Sequence, residues 1–414
     1  MKNILVILPT ERDKRELGIL KNKYGYNFLY YGINPRNCLK EFDTQSFIKN
    51  TISFAEKNNI DAVISTHDYP AAIIGSIIAE KLCLPAPEIE KILICQHKYL
   101  CRQYQKKYVP EAYVESKMID PLKKAKAPFD FPFFIKPVKS FFSIMASQIN
   151  NMCQYDDYIF KAKNHIYEFS APLNEIFKNY SSYRYDASYL IAEKLIHGKQ
   201  VTIEAYSYNK NISIIGIVDS IMYKNKISFK RFDYPSALKK DVKLKMEEIA
   251  RKFIKKLGFD NGILNIEFFY EPDSGLIKII EINPRMCSQF ADLMEKVNGI
   301  NTYEIQLFIS LGVNPATLNT NIKHKYKYTS SFVLRKFKDK KIINLPSKKQ
   351  TDDLKKLYPD IRIEIYGKEN QMLSNELNDM SSFRYGILNL GANSKKELCL
   401  KYKASKDMLN FKFD

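Results

Sequence analysis

The first 95 residues alternate short apolar runs with amphipathic stretches. The apolar runs have the length and the β-branched content of buried strands, and the stretches between them repeat apolar residues at helical spacing. They are, in chain order, NILVIL (3–8), YNFLYYGI (26–33), SFIKNTISFAEKN (46–58), DAVIST (61–66) and AAIIGSIIAEKL (71–82). Strands that alternate with helices predict a βαβαβα unit, in which helices cover a parallel sheet.

Residues 96–325 continue with longer elements, and the pattern changes to short strands after residue 325. The predicted helices are 88–108, which carries Lys98, a helix within 155–179, and 241–257, which ends before Gly258. The predicted strands are FPFFIKP (131–137), YLIAEKL (189–195), QVTIEAYSY (200–208), GILNIEFFY (262–270) and LIKIIEI (276–282). Residues 326–414 predict a small, mostly β unit that ends in a helix. The fold class is therefore α/β and α+β, in three units: 1–95, 96–325 and 326–414.

Charge and composition limit the ligand classes. The 65 basic and 46 acidic residues give a net charge of +19, which favours anionic ligands such as nucleotides and phosphorylated substrates. The lysines are spread along the whole chain without a dense basic block, so we expect most of them at the solvated surface and disfavour a nucleic-acid ligand.

The compartment follows from what the sequence lacks. The apolar run near Met1 ends at Pro9, which is too short for a signal peptide, and no stretch reaches the roughly 20 apolar residues of a membrane span. The seven cysteines form no CxxC pair, so we expect reduced thiols in a cytoplasmic protein without a membrane partner.

Two carboxylates in a predicted hairpin form the first candidate site. A turn centred on Ser274 places Glu267 directly across from Glu281. Like charges at this spacing, about 5 Å between Cβ atoms, destabilise a sheet, so we expect a cation between them. Asn283 lies on the same strand face as Glu281, and the three side chains suit Mg²⁺. The alternative is a salt-bridged strand pair that uses the abundant lysines.

Arg285 follows this strand in the segment EINPR (281–285). Pro284 ends the strand and turns the arginine out beyond its edge. A guanidinium beside a metal-bound triphosphate stabilises the charge of phosphoryl transfer. A surface arginine is the alternative that these residues leave open.

Three segments in this order resemble the ATP-grasp superfamily: IKP (135–137), AEKLIHGKQVTIE (192–204) and EINPR. The resemblance covers about residues 1–320. It implies a Rossmann-like pre-ATP-grasp domain at 1–95, an ATP-grasp domain at 96–325 with a lid at about 131–193, and a small β-rich C-terminal domain at 326–414. The C-terminal part is similar to that of biotin carboxylase-like and L-amino acid ligase-like members.

The resemblance also implies a set of ATP-binding residues. Lys98 and Lys136 would contact the phosphates, and Ser143 would add a hydroxyl in a lid loop that lacks the glycines usual in the family. The hinge residues Glu193, Lys194 and Leu195 would hold adenine. Gln200 stands where the family usually has a glutamate for the ribose, and Arg231 is a candidate to handle the transferred phosphoryl group.

The activity implied is that of an ATP- and Mg²⁺-dependent ligase, with Mn²⁺ as an alternative metal. Such an enzyme activates a carboxylate as an acyl phosphate and joins it to an amine, with amino acids or peptides as the first candidates for both. A carboxylase, a kinase and a nucleotide-binding protein without turnover are the alternatives. The sequence leaves a homodimer open.

Overall fold

The computed structural model of the chain describes residues 1–35, 39–123, 126–140, 144–224, 228–318, 325–376 and 382–414. The first unit has a parallel three-stranded sheet with β1 in the middle, as the alternating pattern predicts. Its elements are β1 (Asn3–Ile7), α1 (Glu11–Tyr24), β2 (Asn27–Tyr31), α2 (Thr44–Lys57), β3 (Ala62–Ile64), α3 (Ala71–Lys81) and α4 (Ile89–Gln96). Thr10 and Asp13 form a capping box that starts α1.

A helix predicted to run from 88 to 108 is in fact two helices, and this prediction is wrong at His97. Helix α4 ends at Gln96 and α5 (Lys98–Tyr108) begins at the next residue, because His97 has an extended backbone, with ψ of 98°. The ring Nδ1 of His97 accepts the backbone N–H of Leu100 and so caps α5. The break places Lys98 in the first turn of a new helix.

The second unit is a four-stranded antiparallel sheet with strand order β4-β7-β5-β6. Its elements are β4 (Ser116–Ile119), β5 (Phe133–Pro137), β6 (Ser147–Ile149), α6 (Met152–Tyr180) and β7 (Leu190–Lys194). Helix α6 covers this sheet, because Tyr155, Tyr158 and Ile166 pack on Phe133 and Ile135. This sheet lies within the predicted lid.

Most of the remaining strands build one large antiparallel sheet with strand order β12-β11-β8-β9-β10-β13-β16-β15, and β14 and β17 form a separate two-stranded antiparallel sheet. The elements are β8 (Lys199–Tyr208), β9 (Asn211–Met222), β10 (Phe229–Tyr234), α7 (Lys240–Leu257), β11 (Gly262–Tyr270), β12 (Ile277–Asn283), α8 (Ala291–Asn298), α9 (Thr302–Ser310), β13 (Tyr328–Lys336), β14 (Ile342–Asn344), α10 (Lys348–Leu357), β15 (Arg362–Ile365), β16 (Phe383–Ala392), α11 (Lys395–Leu409) and β17 (Lys412–Phe413). Helix α7 packs on one face through Met246 and Phe253, and it ends at a left-handed Gly258, as predicted.

Strand β13 joins the C-terminal residues to this sheet by pairing with β10. The sheet is therefore continuous across residue 325, and the domain boundary proposed there stays a prediction. Within the described ranges, none of the helices has the length and apolar content needed to cross a membrane.

Candidate functional site

Strands β11 and β12 place Glu267 directly across from Glu281, which confirms the predicted pairing. Nearer the turn the predicted register is one residue out, because Phe268 pairs with Ile279 and not with Ile280. Ile280 is the extra residue of a β-bulge that restores the pairing at Glu281. The bulge therefore determines which residues face each other at the carboxylate pair.

Arg102 on α5 holds this bulge. Its guanidinium donates to the carbonyl of Ile279 at 2.7 Å and to that of Ile280 at 2.8 Å. The same side chain lies 2.7 Å from the carboxylate of Glu193 and is 2% exposed. A buried arginine with all of these partners is well satisfied, and it links helix α5 to strands β7 and β12.

The two facing carboxylates have opposite electrostatic environments. Burial and then the charge of Glu281 raise the pKa of Glu267. Burial alone would raise the pKa of Glu281 too, but neighbouring lysines, Lys98 first, lower it. The Lys98 ammonium lies 3.0 Å from Glu281, whereas the described donors to Glu267 are the neutral amides of Gln200, at 2.9 Å, and Asn283. One carboxylate is thus compensated, and the other still lacks a cation.

Asn283 completes a donor set that fits a hard divalent cation. Its amide lies 3.4 Å from Glu267 Oε1, beside both carboxylates. The charge of Glu281 adds to burial in raising the pKa of Glu267, and two carboxylates with one amide are ligands that Mg²⁺ accepts. In the part of the chain that the structure describes, no group of three or more His, Cys, Asp or Glu side chains could hold a metal, so further ligands would be water or phosphate.

Lys136 and the hinge residue Glu193 form a second buried pair, with 3.0 Å between ammonium and carboxylate. Burial alone would raise the pKa of Glu193, but Arg102 and Lys136 override it and lower the pKa to about 2. The carboxylate of Glu193 is therefore committed to these two cations. Lys194 points its side chain away, to Glu115 at 2.6 Å on the surface.

Asp68, in the loop after β3, brings Arg285 and a further lysine together. Its carboxylate lies 3.7 Å from Arg285 and 3.4 Å from Lys139, and it accepts the Gln96 amide at 3.2 Å. Burial alone would raise the pKa of Asp68, but Lys139 and Arg285 lower it. Arg285 is therefore turned inward just beyond Asn283, the last residue of β12, and it is not a surface arginine.

Glu204 supports the loop that follows Arg285. The backbone N–H of Cys287 donates to both of its oxygens at 3.2 Å, and Asn265 donates to one of them. Burial raises the pKa of Glu204 to about 7. Burial and then Glu204 raise the pKa of the Cys287 thiol to about 12, so this thiol is not a nucleophile at neutral pH.

Arg231 is a predicted site residue that the structure does not bring into this cluster. Glu267 pairs with Thr202 on β8, which pairs with Val218 on β9. Ser220, two residues along β9, pairs with Phe232, so Phe232 lies on the same face of the sheet as Glu267. Its neighbour Arg231 lies on the opposite face and pairs with Asp233 at 2.8 Å. This geometry does not support a role for Arg231 in the chemistry, although no measurement tests it. Ser143 lies outside the described residues.

Comparison with known proteins identifies this arrangement. A family model described as "ATP-grasp domain" matches residues 129–294, which include the hinge, the hairpin and Arg285. These residues form an ATP-grasp domain. The domain recognised by the model begins before Lys136 and ends after the EINPR segment.

Solved structures share the fold of this chain over its full length. An L-amino acid ligase from Bacillus licheniformis matches with a TM-score of 0.74 and 16% identity, covering 100% of this chain and 99% of that one. Biotin carboxylase from Campylobacter jejuni, solved as a β-γ-ATP complex, matches with a TM-score of 0.67 and 14% identity, covering 99% and 92%. At these identities the likeness shows the fold alone.

A curated relative is similar in sequence over a short segment. The carbamoyl phosphate synthase large chain of Kocuria rhizophila is 36% identical over 81 residues, which are 20% of this chain. The match spans 7% of that relative's length. The similarity therefore concerns one segment and not the whole of the larger enzyme.

The ATP-grasp site has buried positive charge available for an anion. Four buried cations lie around it, Lys98, Arg102, Lys136 and Lys139, and the partly buried Arg285 lies just after β12. Three carboxylates have lowered pKa values and offset part of this charge: Asp68, Glu193 and Glu281. Burial makes the other two, Glu204 and Glu267, hard to ionise. The balance suits a polyphosphate with its metal.

Several residues of this site are missing from the sequence-based prediction. Arg102 lies one helical turn after Lys98, and residues four apart share a helix face, so its position gives a usable signal. Asp68 follows the carboxyl end of a parallel strand, where ligand-binding residues of α/β sheets collect. Lys139, Gln96 and Glu204 carry no comparable local signal.

Proposed function

We propose that this chain is an ATP- and Mg²⁺-dependent ligase that activates a carboxylate as an acyl phosphate and couples it to an amine. The observation that carries the proposal is the facing pair Glu267 and Glu281, with Lys98 at 3.0 Å from Glu281 and Asn283 beside Glu267. The likeness to an L-amino acid ligase fold supports amino acids or short peptides as the first substrates to test.

In this proposal the buried lysines position the triphosphate. Lys98 and Lys136 supply point charges to phosphate oxygens, and the hinge backbone around Glu193 and Leu195 holds adenine. Gln200, which donates to Glu267 at 2.9 Å, lies between the nucleotide and metal positions. Mg²⁺, held by Glu267, Glu281 and Asn283, would neutralise charge that develops on the phosphates.

The chemistry has two balanced steps. An oxygen of the substrate carboxylate attacks the γ-phosphorus, the bond to the β–γ bridging oxygen breaks, and ADP leaves. The amine nitrogen then attacks the acyl carbon, loses a proton and expels inorganic phosphate. Arg285 lies where it can stabilise charge on the transferred group, and burial of the surrounding side chains limits access of water.

A screen with hydroxylamine tests this proposal without knowledge of the natural amine. Hydroxylamine is a small nucleophile that intercepts acyl phosphates, so the correct carboxylate with Mg-ATP should give a hydroxamate and stoichiometric ADP. Phosphate transfer to a hydroxyl would give a stable phosphoester, and a protein that only binds nucleotide would give neither product. ADP formation without hydroxamate, for a good carboxylate substrate, contradicts the acyl phosphate.

The cytoplasmic location and the homodimer remain predictions.

A further inference from the structure

Lys139 is a buried lysine that the proposed reaction does not yet use. It follows β5, its side chain is 2% exposed, and the ammonium lies 4.7 Å from the centre of the Tyr69 ring. Its polar partners are Asp68 at 3.4 Å and the side-chain oxygen of Gln96. Lysine is seldom buried so completely unless it is paired, because removal of its charge from water is costly.

The counter-charge on Lys139 is shared with another buried cation. Asp68, its carboxylate partner, also faces Arg285 at 3.7 Å. One carboxylate thus lies between two cations. Through space, the charge of Lys98 opposes that of Lys139 and the charge of Glu281 favours it. Burial lowers the pKa of Lys139 to about 8, in keeping with this incomplete compensation. An additional anion would complete the compensation.

The backbone on both sides of Lys139 is attached to the nucleotide site. The carbonyl of Val138 accepts the N–H of Lys98 at 2.9 Å, and the carbonyl of Ser140 lies 3.3 Å from the Lys98 ammonium. That ammonium in turn contacts Glu281. Lys139 therefore lies on a segment held directly against Lys98, the proposed phosphate-binding lysine of α5, and its side chain extends from there to Asp68, which also faces Arg285.

The loop that contains Lys139 has no glycine, which makes a side-chain cation useful for phosphate binding. Residues 136–147 read KPVKSFFSIMAS and contain no glycine. Wrapping backbone N–H groups around a phosphate requires conformations that glycine adopts at little cost and that Phe or Ile avoid. A lysine side chain provides positive charge to the same oxygens without those conformations.

We propose that Lys139 is a third phosphate-binding lysine of this chain, which contacts the terminal phosphate of the bound nucleoside triphosphate together with Arg285. The inference rests on the proposed function, because it presumes that Mg-ATP occupies this site. Asp68 holds the ammonium when the phosphate is absent. The competing explanation is a purely structural tie, in which Lys139 and Asp68 only fasten the lid to the N-terminal unit.

Binding measurements separate these explanations and need no turnover. Mg-ATP, Mg-ADP and adenosine are titrated into the wild-type chain, Lys139→Met, Lys139→Arg and Asp68→Asn, with Lys161→Met as the matched loss of an exposed lysine on α6. Loss of one charge-assisted phosphate contact should weaken Mg-ATP binding by about 10-fold or more. We expect Lys139→Met to show that loss, with a smaller effect on ADP and none on adenosine.

The other variants distinguish phosphate binding by Lys139 from a purely structural role. Lys139→Arg should retain most of the affinity, Lys161→Met all of it, and Asp68→Asn should not reproduce the loss, because it leaves the cation in place. If Lys139→Met does not fold, Lys139→Gln, which keeps the hydrogen-bonding capacity without the charge, replaces it. Equal weakening of ATP and adenosine, unchanged ATP binding, or an equal loss in Asp68→Asn would overturn the inference. Failure of the wild-type chain to bind Mg-ATP would instead overturn the proposed function.

Discussion

The Arg102 guanidinium lies 2.7 Å from the carboxylate of Glu193, and both side chains are buried. Through its other nitrogens Arg102 also binds the carbonyls of the β12 bulge. A single side chain thus fixes the hinge, where adenine is proposed to bind, relative to the strand that carries Glu281. The geometry of the site depends on this connection as much as on the residues that would touch ATP.

Arg102→Lys should keep one ion pair to Glu193 and lose the two carbonyl contacts. Each such hydrogen bond to a charged group contributes about 1.5–3 kcal/mol, and lysine cannot reproduce the planar fork. We expect the free energy of unfolding to fall by about 3–6 kcal/mol and the affinity for Mg²⁺ to fall, because Glu281 is no longer held opposite Glu267. Urea unfolding and metal titrations in the presence of ATP measure the two effects. A variant with wild-type metal affinity would show that the bulge needs no support from α5.

Glu267→Gln and Glu281→Gln should both abolish Mg²⁺-dependent turnover but change stability in opposite directions. Neutralising Glu267 removes repulsion across the strand pair, so the free energy of unfolding should be unchanged or rise by up to about 1 kcal/mol. Neutralising Glu281 leaves Lys98 without its partner at 3.0 Å and should cost about 1–3 kcal/mol.

Thermal and urea unfolding without metal check this pair of variants against each other. Glu271→Gln, in the exposed turn of the same hairpin, is the matched control and should match the wild-type chain in turnover and stability. Wild-type activity in either of the two test variants would remove that residue from the metal site, and equal destabilisation would show that their environments do not differ.

Glu204 should make stability depend on pH. Its pKa is about 7 in the folded chain, against 4.5 for the free group, so between these values the folded state holds a proton that the unfolded state has released. Stability is therefore lost as pH rises through this window, by roughly 3 kcal/mol at 1.36 kcal/mol per pH unit. Glu204→Gln should lack this loss, so the two proteins should diverge between pH 5 and pH 8 in urea unfolding. Parallel curves would mean that Glu204 is ionised throughout.

The hairpin shows how far local pattern alone can reach. Alternation and turn residues predict β11, β12 and the facing of Glu267 and Glu281, because these depend on neighbouring residues. The predicted register is one residue out near the turn, and the bulge at Ile280 restores the predicted pairing of Glu267 with Glu281. That bulge is held by Arg102, which is 178 residues away in sequence, so no pattern within the hairpin reveals it.

The break at His97 and the cluster around Asp68 could not be predicted from the sequence, because each depends on residues that are distant in the chain. Histidine is an uncommon N-cap, and its ring is held in place by Phe177 and Tyr185, which lie on distant segments. Lys139 reaches Asp68 across 71 residues. Family resemblance identifies the lysines and carboxylates that contact ATP, but the side chains that position them depend on tertiary packing.

Oxygen transfer from the carboxylate to phosphate tests the central claim most directly. The carboxylate found in the hydroxylamine screen is labelled with ¹⁸O in both oxygens and incubated with Mg-ATP and its amine, and the phosphate is analysed by mass spectrometry. If the carboxylate attacks the γ-phosphorus and the amine then expels phosphate, each phosphate carries one ¹⁸O for each ADP formed, and the amide keeps the other. Unlabelled phosphate formed together with stoichiometric ADP and amide would contradict activation through an acyl phosphate.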